Sequence, residues 1–397
     1  MSRTLAEDAT LPADLARFGR AALVVGVVAL AVSILAGLSR PDQFFRSYLL
    51  AFVFWSGLSL GSLAVLMLQY LTGGAWGIAI RRTLEAGTRT LPLVALAFLP
   101  IVFGMHRLYE WTHADVVAHD RILQEKALYL NVPFFLVRAA LAFAAWLLIA
   151  FFLNKWSREQ DASDDHRRID RKLQLLSGAG LVVFALTVTF TSIDWVMSLE
   201  PHWYSTMYGV LFMVSQGVGA LALAALFVAR FAPRAPLSEL VGGRIFHDLG
   251  KMLFAFTMFW GYVNFSQYLI IWSGNIPEEI AWYLARFRGG WGWIGAAVLI
   301  FHFAVPFLLL LSRRANRNPR LLSLAAGILL FMNFVNMMWM VVPAFTKGKL
   351  SISWMDIVLP AGLGGIWLFF FARTLPTRPL LPAHDPGFEE ALQHGRE

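Results

Sequence analysis

The chain has 397 residues, of which 58% are hydrophobic and 15% are charged, and its formal net charge is +8. An average soluble domain is only about 45–50% apolar, so this composition excludes an ordinary soluble globular protein. The lack of cysteine excludes disulfides, thiolate-ligated iron–sulfur clusters and c-type haem attachment. In a membrane protein the distribution of positive charge matters more than its sum, so we expect no nucleic-acid partner.

The apolar residues form about ten runs that are nearly free of charge. Each run is close to the roughly 20 residues that a helix needs to cross the hydrocarbon core of a bilayer. The runs do not alternate apolar and polar residues, as the strands of a membrane barrel would. We therefore expect an all-α integral membrane protein of about ten helices. The runs cover residues 21–39, 48–71, 90–106, 132–153, 176–197, 207–230, 249–272, 291–312, 320–343 and 353–373.

Basic residues between the runs predict the orientation of the chain. Lys and Arg number 23 on the side of the N-terminus and nine on the opposite side. Because basic segments stay in the cytoplasm during insertion, both termini are expected there. The chain then divides into an N-terminal segment (1–20), a membrane domain (21–373) and a C-terminal tail (374–397). The mixed charges of loop 154–175 predict a solvated linker, and the tail is expected to be disordered or bound to a partner.

Two features mark the first half of the membrane domain. Gly57 and Gly61 form a GxxxG pair, which predicts the close approach of a neighbouring helix. Arg138 lies about six residues, or ~9 Å, below the outer end of its run, and Asp194 ends the next run at a similar level. A charge inside a membrane is nearly always paired or faces a wet cavity, so we predict an ion pair between these two residues. His106 closes the preceding run at the same level.

The second half also carries polar residues inside its apolar runs. Two interpretations remain for them: hydrogen bonding between helices, or the lining of a quinone headgroup pocket or proton path that opens outward. The only clearly intramembrane histidine is His302, so a haem with two histidine ligands is not expected. The runs also lack a carboxylate near their middle, which disfavours an ion-coupled transporter. The candidate cavity residues are Asn264, Gln267, Tyr268, Asn333 and Asn336.

Two outer segments concentrate polar and aromatic residues. Residues 194–206 read DWVMSLEPHWYST, and residues 266–279 read SQYLIIWSGNIPEE. Carboxylates and a histidine at a membrane surface suit proton exchange. The candidates for a proton path are therefore Asp194, Glu200, His202, Arg138, His106 and His302. The candidates for contact with a partner are Trp203, Tyr204, Asn275, Glu278 and Glu279.

These two segments and the stretch at 44–77, FFRSYLLAFVFWSGLSLGSLAVLMLQYLTGGAWG, resemble the NrfD-like family of polysulfide-reductase membrane subunits. Within that family the chain looks most like the ActF-type subunit of alternative complex III, a bacterial quinol:cytochrome c oxidoreductase. The related ActC type shares the segment around Pro201, and the SGNIPEE sequence distinguishes the two. The resemblance covers about residues 40–375.

The resemblance implies two four-helix bundles, helices 2–5 and 6–9, with helices 1 and 10 flanking them in a bacterial inner membrane. It implies a subunit that is not catalytic alone and binds at most a quinone such as menaquinone, with no metal. The implied partners are a multihaem cytochrome c, an iron–sulfur and molybdopterin-like subunit, a paralogous NrfD-like subunit and a terminal oxidase. A purely structural membrane anchor and a stand-alone transporter are the alternatives.

Overall fold

The computed structural model describes residues 10–163, 166–312, 317–382, 384–385 and 387–396. In these ranges the chain forms helices and turns, and no strand. The ten long helices are α1 (Thr10–Ser39), α2 (Pro41–Thr72), α3 (Ala75–Phe103), α4 (Val132–Ala162), α5 (His166–Trp195), α6 (Tyr208–Phe231), α7 (Gly243–Gly274), α8 (Trp291–Leu311), α9 (Pro319–Val341) and α10 (Met355–Thr374). Short helices cover Met105–Leu108, Glu110–Thr112, Ala114–His119, Arg121–Lys126, Met197–Leu199, Leu237–Leu240, Pro277–Phe287, Pro343–Thr346, Leu375–Thr377 and Phe388–Arg396.

Nine helices of the described chain are long and apolar enough to cross a membrane. The tenth long helix, α7, has 32 residues but is not among them. It carries Arg244, Asp248 and Lys251 in its first turns and Asn264 and Gln267 nearer its end. The predicted all-α integral membrane fold of about ten helices is therefore confirmed.

The long helices pack as two rings of four. Helices α2, α3, α4 and α5 contact one another in that order, and α5 closes the first ring on α2. Helices α6 to α9 form the second ring in the same way. The two rings meet where α2 lies against α6, and α1 and α10 pack along each other beside α2. This arrangement matches the two bundles and the flanking pair that the resemblance implies.

The contact between α2 and α6 depends on the predicted GxxxG pair, and above all on Gly61. A Cβ atom at Gly61 would lie 2.0 Å from the carbonyl oxygen of Gln216 in α6. At Gly57 the nearest atom would be the Gln216 Cγ, at 3.4 Å, which is an ordinary contact. The backbone of α6 can thus approach α2 only where a glycine stands at position 61.

We expect Gly61→Ala to lower the free energy of unfolding by about 1–3 kcal/mol, because the added methyl group forces the two bundles apart. Gly57→Ala is the matched control and is expected to have a much smaller effect. Thermal unfolding of both variants in the same detergent would test this. Equal melting temperatures would show that the backbones need not approach so closely.

The helices end at two faces of the molecule. We call the end with the connections 104–131, 196–207, 275–290 and 342–354 the loop face. These connections contact one another: the Trp203 indole donates to the Glu279 carbonyl at 2.9 Å, and Trp291 donates to Lys349 in the same way.

Both ends of the described chain lie at the opposite face, which we call the terminal face. There Asp14 of α1 accepts a hydrogen bond from Arg234 at 2.6 Å, and Asp385 of the tail accepts one from Arg81. The two faces therefore separate the loops from the termini, as an even number of crossings requires.

Three boundaries differ from the sequence-based expectation. The predicted loop at 72–90 is largely helical, because α3 begins at Ala75. The predicted linker at 154–175 is also mostly helical, since α4 continues to Ala162 and α5 begins at His166. The tail is folded against the membrane domain, where Arg378 is 8% exposed. Residues 1–9 of the expected N-terminal segment, residues 164–165 of the linker and residues 383, 386 and 397 of the tail lie outside the described residues.

Candidate functional site

Arg138 and Asp194 form a bidentate ion pair inside the first bundle, near the loop face. Arg138 Nε donates to Asp194 Oδ2 at 2.8 Å, and Nη2 donates to Oδ1 at 2.9 Å. The Asp194 side chain is 1% exposed and that of Arg138 is 9% exposed. The predicted ion pair is thus present, because α4 and α5 bring the two side chains to the same depth.

The guanidinium of Arg138 is held on its other sides as well. It lies 3.9 Å from the ring centroid of Tyr129 and 4.3 Å from that of Phe134, and it also donates to the Tyr129 carbonyl at 3.0 Å. Aromatic faces stabilise a cation that has lost its water. Arg138 is therefore fixed in place, and Asp194 is the member of the pair that can gain or lose a proton.

A second ion pair at the loop face joins Glu200 to Arg286. Arg286 Nη2 lies 2.7 Å from Glu200 Oε2, and the guanidinium also donates to the carbonyls of Met340 and Trp282. Its Cζ lies 3.6 Å from the Trp282 ring centroid. Arg286 is fully buried although it follows α7 in a connection. Glu200 therefore links the α5–α6 connection to the second bundle through an ion pair in which its own side chain stays 24% exposed.

In the sequence Arg286 is one of the nine basic residues on the outer side, and its residue type predicts no role. An arginine in a short, charged connection is usually solvated, so residue type alone could not identify it. The feature that could have indicated its burial is its place on the helix Pro277–Phe287. Arg286 follows Tyr283 by three residues and Trp282 by four. That spacing places all three on one helix face.

His202 lies at the surface of the loop face beside Asp120. The His202 Nε2 and Asp120 Oδ2 atoms are 2.6 Å apart, and His202 is half exposed. Asp120 also caps the helix Arg121–Lys126 by accepting from the N–H groups of Ile122 and Leu123 at 2.9 and 3.1 Å. The Leu123 N–H and the His202 side chain together lower the pKa of Asp120 from its usual value.

A carboxylate with a lowered pKa stabilises the fold above its unfolded pKa and loses that effect as the pH falls through its folded pKa. We therefore expect the melting temperature to fall less steeply below about pH 4 in Asp120→Asn than in the wild type. Asparagine keeps the cap but does not ionise. Thermal unfolding of both proteins from pH 3 to 6 would test this. If the melting temperature falls equally steeply with pH in both, the expectation is contradicted.

His302 lies in the interior of the second bundle. It is fully buried, and its ring centroid is 4.3 Å from that of Trp260. It belongs to a π-helical turn at Leu299–Ala304, just before Pro306. Proline removes a backbone donor and its ring clashes with the carbonyl four residues earlier, here that of His302, so the wider turn relieves the clash. Neither ring nitrogen has a hydrogen-bond partner among the described residues.

A short line of polar groups begins at Trp260, whose ring packs against this histidine. The Trp260 indole donates to Ser215 Oγ at 3.2 Å, and the Asn336 amide lies 3.4 Å from the same oxygen. Asn333 is buried one turn earlier in α9, beside Gly219 of α6. Ser215 of α6, Trp260 of α7 and Asn336 of α9 therefore form one hydrogen-bonded group, and His302 packs against its Trp260 ring. At 1.5 Å per residue the group lies roughly 10–20 Å from the loop face.

The other predicted cavity residues do not join this group. The Asn264 amide bonds to the Trp260 carbonyl of its own helix at 2.9 Å. Gln267 accepts from Ser205 Oγ at 3.0 Å, close to the loop face, and Tyr268 packs edge-on against Tyr283. The expected single cavity in the second bundle thus separates into an inner group around His302 and an outer group around Gln267.

The predicted partner contacts also separate. Trp203 is 5% exposed and stacks on Trp282 with 5.0 Å between ring centroids, so it is a packing residue and does not face a partner. Tyr204, Asn275 and Glu278 are exposed, and Glu279 is half-buried. His106 is exposed beside His113 and lies apart from the buried ion pair.

Sequence analysis missed a cluster of buried charges at the terminal face. We call it the terminal cluster, and Glu85, which is fully buried in α3, stands at its centre. Glu85 pairs with Arg81 at 3.1 Å, with Arg82 at 2.9 Å and with Arg378 of the tail at 3.0 Å. Two further carboxylates balance the charge. The members of the terminal cluster are Arg81, Arg82, Glu85, Asp161, Arg378 and Asp385.

Neutral groups complete the terminal cluster. Ser157 of α4 donates to Glu85 at 2.5 Å and accepts from Arg81 and Arg82 at 3.1 Å. Gln160, one turn later, accepts from Arg81 and donates to Asp170. These contacts correct one expectation: the charged residues at 81–85 and 157–161 lie within α3 and α4 and pair with one another, so they do not form solvated loops.

No group of three or more potential metal-binding side chains occurs in the part of the chain that the structure describes. Comparison with protein-family models gives no match, and comparison with curated proteins gives none either. Functional inference therefore rests on the geometry of the two faces and on the sequence resemblance.

Proposed function

We propose that the chain is an integral membrane subunit of a quinol:cytochrome c oxidoreductase of the alternative complex III type. In this proposal the loop face is periplasmic and the polar interior exchanges protons with that side. The buried Arg138–Asp194 pair is the observation that carries it. An ionised pair inside a membrane protein is costly, so it usually marks an ion or proton pathway.

In our proposal the route inward continues along α5, on the turn that precedes Asp194. Thr191 and Ser192 of α5 line a cavity of about 10 Å³, which Gln216 of α6 also lines. This volume is room for about one water molecule and is far below the ~300 Å³ of a small-ligand pocket. We therefore favour proton transfer over binding of a quinone headgroup at this point.

The next polar group along α6 is Ser215, which contacts Trp260 and Asn336 next to His302. In our proposal a proton reaches Asp194 from the loop face and passes by hydroxyl groups and water to the group around His302. Protonation of Asp194 would weaken its bond to Arg138, so each transfer has to restore the ion pair. Quinone binding by the outer group around Gln267 stays a prediction.

The second candidate function is a purely structural anchor for sister subunits. It is favoured by the large side chains that the loop face exposes, including Trp272, Tyr204 and Trp293 at 60%, 59% and 81%. Exposed tryptophan and tyrosine also suit the membrane interface, so these residues alone do not decide between the two functions.

Purification of the tagged full-length chain from its own membrane tests the proposal. We expect a multihaem cytochrome c, an iron–sulfur protein and a second protein of this fold to co-purify with it. A chain that purifies alone and moves a solute across liposomes would instead be a transporter, and the proposal would be wrong.

A further inference from the structure

A cavity of about 590 Å³ opens between α3 and α4 near the terminal face. Its lining changes along α4 from Leu147 and Phe151 to Lys155 and Arg158. At 1.5 Å per residue this stretch is about 16 Å long. Pro92 of α3 extends the apolar part. The cavity thus has an apolar half that faces the middle of the bundle and a cationic half at its end.

The cationic half contains donors that the protein leaves unused. Arg89 Nη2 and Arg378 Nε are buried and have no hydrogen-bond partner among the described residues. Arg89 is held in place by donating from Nη1 to Thr377 Oγ1 at 2.8 Å. Arg378 is 8% exposed and is fixed by Glu85. Both guanidiniums are therefore held in place at the wall of the cavity, and each keeps one N–H group without an acceptor among the described residues.

The charge of the lining is strongly positive. Four basic side chains line the cavity, and Glu159 is the one acidic residue among them. Glu159 lies 4.0 Å from Lys155. Within the described parts of the chain, neither Arg89 nor Arg158 has a carboxylate partner. An anion in the cavity would therefore meet at least two guanidiniums that form no ion pair with a carboxylate of the described chain.

We propose that this cavity binds an anionic phospholipid. The phosphate lies between Arg89 and Arg158, where guanidinium groups match its oxygens, and the acyl chains follow Leu147, Phe151 and Pro92 into the bilayer. Basic pockets between transmembrane helices are a general way to hold acidic lipid headgroups. The apolar half favours a lipid over a free phosphate, which would use only the cationic end. This inference does not depend on the proposed function.

Native mass spectrometry of the full-length chain in detergent tests the proposal, with phosphatidylglycerol, phosphatidylcholine and glycerol 3-phosphate as probes. We expect one phosphatidylglycerol to bind at least about fivefold more tightly than phosphatidylcholine. Arg89→Gln and Arg158→Gln should each weaken that binding about fivefold. Arg158 is exposed and makes no ion pair, so its loss should not disturb folding.

Arg168→Gln is the matched control, since it removes one exposed positive charge at the same face outside the cavity. It should leave phosphatidylglycerol binding unchanged. Equal binding of the two phospholipids would overturn the proposal. So would a loss of phosphatidylglycerol binding in Arg168→Gln as large as that in Arg89→Gln or Arg158→Gln, because the lipid would then respond to the overall charge of this face. Displacement of the lipid by glycerol 3-phosphate at similar concentration would also overturn it, because the site would then recognise phosphate alone.

Discussion

Glu85→Gln is expected to lower the free energy of unfolding of the full-length chain by about 3–5 kcal/mol. The three guanidiniums and three carboxylates of the terminal cluster balance in charge, and Glu85 contacts all three guanidiniums. Glutamine keeps the size of the side chain but leaves one positive charge uncompensated in a site from which water is excluded. Removing one partner of a buried ion pair lowers stability far more than the intact pair raises it, because the other charge is left buried without a partner.

Thermal unfolding in detergent and the yield of monodisperse protein would measure this effect. Glu125→Gln is the matched control, because Glu125 pairs with Arg121 on the surface, where both side chains are more than half exposed. An exposed pair of this kind contributes about 0–1 kcal/mol. If the two variants unfold at the same temperature, the terminal cluster does not stabilise the fold.

Restoring the charge balance of the terminal cluster should recover part of the stability that Glu85→Gln loses. In the double variant Glu85→Gln with Arg378→Gln, the cluster again has equal numbers of positive and negative groups. We therefore expect the double variant to be more stable than the sum of its single changes implies. Additive losses would show that packing of the tail, rather than charge, dominates at this face.

The terminal cluster also shows why the sequence alone misplaced two helix boundaries. Arg81, Arg82 and Glu85 stand close together in the chain, and dense charge between apolar runs normally indicates a solvated loop. Their partners Arg378 and Asp385 lie about 300 residues away, so neutralisation of the charges could not be seen locally. Sequence analysis therefore ended the helices where the charges began, whereas α3 and α4 continue through them.

Arg138 and Asp194 were predictable for the opposite reason. Arg138 is a single charge about six residues inside one apolar run and Asp194 closes the next run, and the positive charges of the loops predicted the direction of both helices. Depth then followed from the rise per residue, which placed these two opposite charges at one level inside the first bundle. Depth does not show which polar side chains on neighbouring helices face each other. The sequence therefore predicts one group that includes Gln267, Tyr268 and His302, whereas Gln267 and Tyr268 contact residues nearer the loop face.

Asp194→Asn should separate the structural role of the ion pair from its proposed chemical role. The single variant leaves Arg138 buried without a counter-charge, and we expect a loss of about 3–5 kcal/mol in stability. Asparagine cannot take up a proton, so in the assembled complex we also expect quinol:cytochrome c turnover and proton release to fall by about 100-fold. The first effect is measured by thermal unfolding and the second by cytochrome c reduction with a pH indicator.

The double variant Arg138→Gln with Asp194→Asn decides between the two roles. It removes both charges, so no charge is left uncompensated, and stability should return to within about 1–2 kcal/mol of the wild type. Turnover and proton release should stay low, because neither new side chain titrates. A stable, assembled double variant with full turnover and proton release would exclude Asp194 from proton transfer. The buried pair would then serve to fix α4 against α5, and the anchor function would account for the loop face.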